Sequence, residues 1–273
     1  MPNKISFSSI GDIGIDIYPD IQKRFPGGMA LNSAYHAKRA GAQASVLSAI
    51  GNDKDGSFIL DFLKKNDISA SGLEILDGNT DTVEITLDTH ARPQYGKWEL
   101  GVLENYRLSS SQKEYLKTQD VVVSVFLPEL RSMFDDFAQL NLPNTVKVGD
   151  FTDLSEFQGD QSVLQDYVES FDFFVLSIDK KVDERVNSFS DFINKNGKMG
   201  IALMGSEGST VIFDNKKFHQ DSTKTKVIDT TGAGDAYLAT FLIKYQTKKN
   251  IFNAMKFATE VATKSIKHFG ATI

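Results

Sequence analysis

Residues 229–237 read DTTGAGDAY, and within them Gly232, Ala233, Gly234 and Asp235 could act together. Small residues at the start of a helix let successive backbone N–H groups point into one concavity. With the positive end of the helix dipole, they make an anion site. The same amides would stabilise charge developing on the oxygens of a phosphoryl group in transfer. Asp235 falls in the first helical turn, so its carboxylate stands beside that site and could accept the proton of an attacking hydroxyl. A plainer reading makes Thr230 or Thr231 an N-cap and Asp235 a complement to the dipole. The glycines weigh against it, because each costs up to about 1 kcal/mol in a helix and a cap gives no reason for them.

These residues need a strand before them and a helix after. Residues 224–228, KTKVI, read as β-like, and 238–247, LATFLIKYQT, space their apolar residues for one helix face. The chain alternates in this way elsewhere. KISFSSI (4–10), ASVLSAI (44–50), DVVVSVF (120–126), TVKVGDF (145–151), DFFVLSI (172–178) and KMGIALMG (198–205) read as strands. Helical patterns fall at 29–40, closed by Gly41, at 56–66, and near 129–140, 160–169 and 182–196. Such alternation predicts βαβ units and a mainly parallel sheet covered on both faces. Two stretches depart from it: DIGIDIYPDI (12–21) and TVEITLDTHARPQYGKWEL (82–100) alternate with period two and have no helix between strands. They are expected to form a small β flap at one edge of the main sheet.

The 273 residues fit one large domain, or one with a small appendage, and 41% are hydrophobic, enough for a substantial core. With no cysteine there is no disulfide framework and no thiolate chemistry. The start, MPNKISFSSIGD, lacks the pattern of a signal peptide, and no window approaches the ~20 apolar residues of a membrane span. A net charge of −6 argues against nucleic-acid binding. A cytoplasmic protein is the expectation. No G-x-x-x-x-G-K-[ST] loop occurs, and the histidines at 36, 90, 219 and 268 have no metal-ligand spacing. A G-x-S-x-G elbow is also missing, and GAGDAY puts Tyr237 where a dinucleotide loop needs its third glycine.

DTTGAGDAY resembles the C-terminal signature of the ribokinase/PfkB family of carbohydrate kinases. The family's other signature, a Gly-Gly pair opening a helix with an Asn four residues on, appears as PGGMALNSAYHAKRAGAQASVLSAIGNDKDG (26–56). The resemblance runs from Gly11 to Ala271. It implies an α/β fold, a ribokinase-like three-layer α/β/α sandwich with a small β-sheet lid. The lid segments would lie near 12–26 and 80–104 of a single domain spanning 1–273.

The resemblance also assigns roles. Asp12 and Asp16 in GDIGID, with Gly27, Gly28 and Asn32, match residues that hold sugar hydroxyls in the family. The chemistry suits a polyol: a carboxylate accepts from neighbouring hydroxyls, Asn donates and accepts, and glycines admit the ligand to the backbone. An Asp-bearing turn and a helix start kept small for packing are the plainer alternatives. Arg92 in the lid could meet the substrate, or could simply be solvated. At the nucleotide end the family carries Thr-Leu-Gly-x-x-Gly. Here ALMGSEGS (202–209) keeps Gly205 and Gly208 around Ser206 but has Leu203 in the Thr position, and a turn between strands would also explain the glycines. The family's Asn-x-x-Glu is absent, leaving Asp183 or Glu184 as stand-ins for a metal-supporting Glu. ATP as phosphoryl donor and Mg²⁺, its shell supplied largely by ATP and water, are implied. Asp229 is a candidate for a K⁺ site, and a homodimer through the lid is the partner expectation.

Within the family, GDIGIDIYP, FPGGMALNSA, GDFTD (149–153) and IKHFGA (266–271) look most like fructoselysine 6-kinases, which phosphorylate the 6-hydroxyl of a fructosamine. Ribokinase, fructokinase and nucleoside kinase are the alternatives inside the family. Leu203 and the missing Asn-x-x-Glu favour a different alternative, a sugar-binding sensor that has lost turnover.

Overall fold

A computed structural model describes residues 4–178 and 184–272. In chain order its strands are β1 (Ser6–Ile10), β2 (Gly14–Tyr18), β3 (Lys23–Gly27), β4 (Gln43–Gly51), β5 (Ser69–Leu76), β6 (Asp81–Leu87), β7 (Pro93–Glu99), β8 (Val121–Val125), β9 (Val146–Asp150), β10 (Phe173–Ser177), β11 (Met199–Leu203), β12 (Ser209–Phe213) and β13 (Lys216–Gln220). The helices are α1 (Met29–Ala40), α2 (Lys54–Lys65), α3 (Ser110–Leu116), α4 (Arg131–Ala138), α5 (Glu184–Lys195), α6 (Ala233–Lys248) and α7 (Ile251–Ser265). None is long and apolar enough to cross a membrane among the described residues.

Nine strands form one sheet in the order β13-β12-β11-β10-β9-β8-β1-β4-β5. Every pairing from β5 to β11 is parallel, and β12 and β13 add an antiparallel edge. Successive side chains feed opposite cores, as strands buried on both faces require. Val46 and Ile50 of β4 belong to the core that includes residues of α1, α6 and α7, while Leu47 and Ala49 belong to the opposite core, which includes residues of α3, α4 and α5. This is the three-layer α/β arrangement that the alternation predicts. On the second face, Phe126, Phe134, Phe151 and Phe174 make a ring cluster, with Phe126–Phe134 centroids 5.0 Å apart and Phe151 stacked on Phe174 at 5.6 Å. That cluster fixes the ends of β8 and β9.

The two stretches with period-two alternation meet in a second sheet, ordered β3-β2-β6-β7. Its β6–β7 hairpin carries a bulge. Val83 pairs with Trp98 and Ile85 with Tyr95, so Gly96 and Lys97 together oppose Glu84.

Several local expectations need correction. The helix near 160–169 is a 3₁₀ segment, Gln161–Tyr167, whose buried residues Leu164 and Tyr167 follow a three-residue period. Residues 224–228 form no strand. Ile228 and Asp229 instead donate to the Ile266 carbonyl, and the strand before this connection is β13. Strand β5 and helix α3, with its Ser109/Gln112 capping box, carried signals the periodicity did not separate. The expected helix near 182–196 begins, among the described residues, at Glu184.

Candidate active site

The chain leaves β1 in one direction towards β4 and β5, and returns to β8 on the other side of β1. Such a reversal opens a crevice at the carboxyl ends of the strands. Here it is a cleft of about 530 Å³ between those ends and the small sheet, lined by Asp12 after β1, Phe126 after β8, Asp150 of β9, Ser177 of β10 and Leu203 of β11. Asp12, Asp16, Asp150, Asp153, Asp235 and Glu129 line it, and no Lys or Arg does among the described residues.

At one end, α6 starts without a side-chain cap. Gly232 occupies the N-cap position with φ 70°. Thr231 turns its amide (2.8 Å) and hydroxyl (2.6 Å) to Asp229 Oδ1, so the simple threonine-cap reading does not hold. A Cβ at Gly232 would lie 2.2 Å from the Ala271 side chain, whereas one at Gly234 would meet only Leu203 Cδ1, at 3.5 Å. Gly232 is therefore required by the backbone and its neighbour, but no protein atom requires Gly234. The Ala233 amide donates to the Thr230 carbonyl at 3.1 Å. The amides of Gly232 and Gly234 have no acceptor among the described residues.

Asp235, 4% exposed, faces the cleft from the first turn of α6. Its Oδ2 accepts from Asn32 Nδ2 at 2.9 Å, and burial, against that bond and with repulsion from Asp150, Asp12 and Asp16, holds its carboxyl well above the usual range. Asp12 Oδ1 accepts from the Met29 amide at 3.0 Å, and burial pushes it up to about 6. Asp16 accepts no hydrogen bond from the described residues. Burial, then the charges of Asp12 and Asp229, push it up to about 8. The glycines explain this packing: a Cβ at Gly27 would fall 2.2 Å from the Asp16 carboxyl group, and Gly28, at φ 93°, lies against the Asp12 backbone.

Other sequence candidates lie elsewhere. Arg92, largely exposed, pairs with Asp88 at 2.9 Å and does not line the cleft. Gly205, Ser206 and Gly208 form the turn between β11 and β12, closed by the Met204 amide on the Gly208 carbonyl at 2.8 Å, and lie outside the cleft lining. Glu184 is exposed at the start of α5, and Asp183 lies outside the described residues. Asp229 is buried and holds the loop. Besides Thr231, its Oδ2 accepts from the Tyr18 hydroxyl at 2.6 Å and the Gly270 amide at 2.9 Å. Among the described residues, no three His, Cys, Asp or Glu side chains are grouped to hold a metal.

Sequence reasoning assigned no role to Asp150, Asp81, Tyr95 or Trp98. Asp150 ends a parallel strand in GDFTD, a position that could have marked it. Burial pushes it up to about 6, with Thr152 donating to Oδ1 at 2.9 Å. Asp81 is buried in the small sheet, accepts from Trp98 Nε1 at 2.6 Å, and is raised well above the usual range by burial.

The architecture has clear counterparts. The Arabidopsis thaliana ribokinase complexed with ribose and ATP superposes with a TM-score of 0.80 at 17% identity, covering 99% of this chain and 95% of that one. Fructoselysine 6-kinase of Escherichia coli is 27% identical over 267 residues, 97% of this chain and 99% of that protein. The Bacillus subtilis fructosamine kinase FrlD is 28% identical over 267 residues, 96% and 91% of the two chains. The description "pfkB family carbohydrate kinase" matches residues 16–127 and 171–273, most of the chain and both ends of the cleft. The chain belongs to the pfkB family of carbohydrate kinases and is a sugar kinase.

Proposed function

We propose that this kinase transfers the γ-phosphoryl of ATP to a primary hydroxyl of a ketose-type sugar, the 6-hydroxyl of fructoselysine or a related fructosamine. The observation that carries the reading is the Asn32–Asp235 hydrogen bond. It joins the helix start matched to sugar binding and the helix start matched to phosphoryl binding. The near-full-length similarity to fructosamine kinases supports the choice of sugar.

In this reading the substrate hydroxyls bind Asp12, Asp16 and Asn32, and the acceptor hydroxyl lies against Asp235. Burial makes Asp235 a poor anion in the empty cleft. It gains basicity for the hydroxyl proton at the cost of needing ionisation first. The amides of Gly232 and Gly234 receive the equatorial oxygens of the transferring group, and Ala233 joins them if its bond to Thr230 opens. Among the described residues no Lys or Arg lines the cleft, and the positive potential they offer there comes from the helix dipole and amides. Magnesium fits as part of the nucleotide: cleft carboxylates such as Asp150, with no three-ligand cage among the described residues, suit an ion that keeps most of its waters. It would neutralise triphosphate charge. Asp229, its oxygens already engaged by four donors, holds the loop in this reading rather than a potassium ion.

The test is ADP release from Mg·ATP with fructoselysine, psicoselysine, fructose and ribose, run beside Asp235→Asn. Sugar-dependent release that collapses in the variant supports the reading and ranks the substrates. Sugar binding without release from any of them would favour the sensor, to which Leu203 and the missing Asn-x-x-Glu already point.

A further inference from the structure

The small sheet lines up three side chains that the sequence gives no reason to group. Asp16 of β2 pairs with Val83 of β6, and Val83 pairs with Trp98 of β7. Paired residues share a face of a sheet, and strands lie about 4.8 Å apart, so Asp16 and Trp98 face the cleft from backbones roughly 10 Å apart. Tyr95 lies on the same face. Three residues from Trp98, strict alternation would send it to the other side, but the bulge of Gly96 and Lys97 opposite Glu84 returns it to the cleft. The Trp98 indole is held in place through the 2.6 Å bond from its Nε1 to buried Asp81. Tyr95 is 65% exposed, an aromatic ring lining the cleft with most of its surface uncovered. Carboxylates line the same cleft, and the Asp16 carboxyl, 3% exposed, accepts no hydrogen bond from the described residues.

Two aromatic rings and an unpaired buried carboxyl on one cleft wall, with no basic side chain in the lining among the described residues, form a receptor for a cation. A neutral polyol has no need of that combination. We infer that Trp98 and Tyr95, with Asp16 in the same row, bind the positively charged nitrogen and first methylenes of an N-alkylated amino-ketose. This inference rests on the fructosamine reading of the site and names the residues that would select the amine. The secondary ammonium lies between indole and carboxylate, and the Tyr95 ring covers the alkyl stem as it leaves the cleft. Asp81 is then a positioning residue, acting through the indole. Asp16 then serves the ammonium together with the hydroxyl beside it, and the other sugar hydroxyls fall to Asp12 and Asn32.

The experiment compares an N-alkyl fructosamine with its O-alkyl ether, which has the same outline and no charge. The wild type is expected to favour the amine by about 10-fold or more in kcat/KM, chiefly through KM. Trp98→Leu and Tyr95→Leu are each expected to bring that ratio most of the way to one. Tyr95 is exposed, so its variant keeps the question open should Trp98→Leu not fold. Trp98 is the only tryptophan, and its emission should respond to the amine more strongly than to the ether. If both variants lose amine and ether equally, the rings stack on the sugar and the inference falls. It falls too if Tyr95→Leu converts a dimer to a monomer with the ratio intact, since a second copy would then be what covers the ring. A wild type that phosphorylates only sugars without the amine would overturn the fructosamine reading itself, a pattern distinct from either.

Discussion

Asn32, in the first turn of α1, donates a 2.9 Å hydrogen bond to Asp235, in the first turn of α6, across 203 positions of sequence. Two helix starts thus converge on one carboxylate. Its Oδ2 is engaged by Asn32, and the cleft is where its remaining acceptor capacity lies. Asn32 Oδ1 is buried without a partner among the described residues, a cost of about 1–3 kcal/mol.

This geometry separates the two residues experimentally. Asp235→Asn should lower kcat by ~10²–10⁴-fold while sugar binding, followed by calorimetry, changes little. Asn32→Asp places a second carboxyl against the first and should weaken both sugar binding and turnover. A variant Asp235→Asn with near-normal kcat would remove Asp235 from the proton-transfer role.

A second expectation concerns pH. The folded-state values of Asp12 and Asp150, about 6, and Asp16, about 8, all exceed the ordinary 3.8. The folded chain therefore binds more protons than the unfolded chain from about pH 4 to about pH 8. Stability falls as pH rises through that window, and the protonated carboxyls contribute most at its acid end. Thermal melts of the ligand-free protein should show Tm declining between about pH 5 and about pH 8.5. Asp16→Asn should recover roughly 5 kcal/mol at the alkaline end and little at the acid end, where Asp16 is already neutral. A wild-type Tm that rises across this range would contradict the assignment.

The loop that carries the proposed anion site is tied to the small sheet by Tyr18, whose hydroxyl reaches Asp229 at 2.6 Å and Thr231 Oγ1 at 3.1 Å. Tyr18→Phe leaves the ring packing against Phe25 and Phe269 but removes the donor from a buried carboxylate. The expected loss is about 1–3 kcal/mol in chemical denaturation, with reduced kcat as the loop is released. An unchanged denaturation midpoint would show that the Gly270 and Thr231 donors suffice.

Much of this was legible in the residues because strand-helix alternation and two glycine-bearing helix starts are local signals. Asp12, Asp16, Gly28, Asn32 and Asp235 do meet in one cleft. Long-range register is a different matter. Whether Tyr95 and Trp98 share a face depends on a bulge whose only local trace is Gly96, and Asp81 becomes significant only because β6 runs beside β2. The hairpin of β12 and β13 was hidden for a related reason: KKFHQ is a charged edge strand, and its lysines disguise the alternation while protecting the edge. Residues 224–228 looked more strand-like, yet Ile228 and the following Asp229 are claimed by the C-terminal segment through the Ile266 carbonyl.

The two glycines at the start of α6 give the sharpest contrast. Gly232 has φ 70°, and a methyl group there would lie 2.2 Å from Ala271 Cβ, so Gly232→Ala should cost stability and displace the C-terminal segment. Gly234 lies inside the helix, where a methyl would meet only Leu203 Cδ1, at an ordinary 3.5 Å. Gly234→Ala should therefore leave stability unchanged or raise it by up to about 1 kcal/mol through helix propensity. The same methyl projects towards the cleft, so phosphoryl transfer should fall by roughly 10-fold or more, as misplacement near the reacting group does. Melting temperature and kcat measured on the two variants should thus move apart, with Gly234→Ala as stable as the wild type and slower. If Gly234→Ala is as fast as the wild type, the room left at that position is not there for the transferring group.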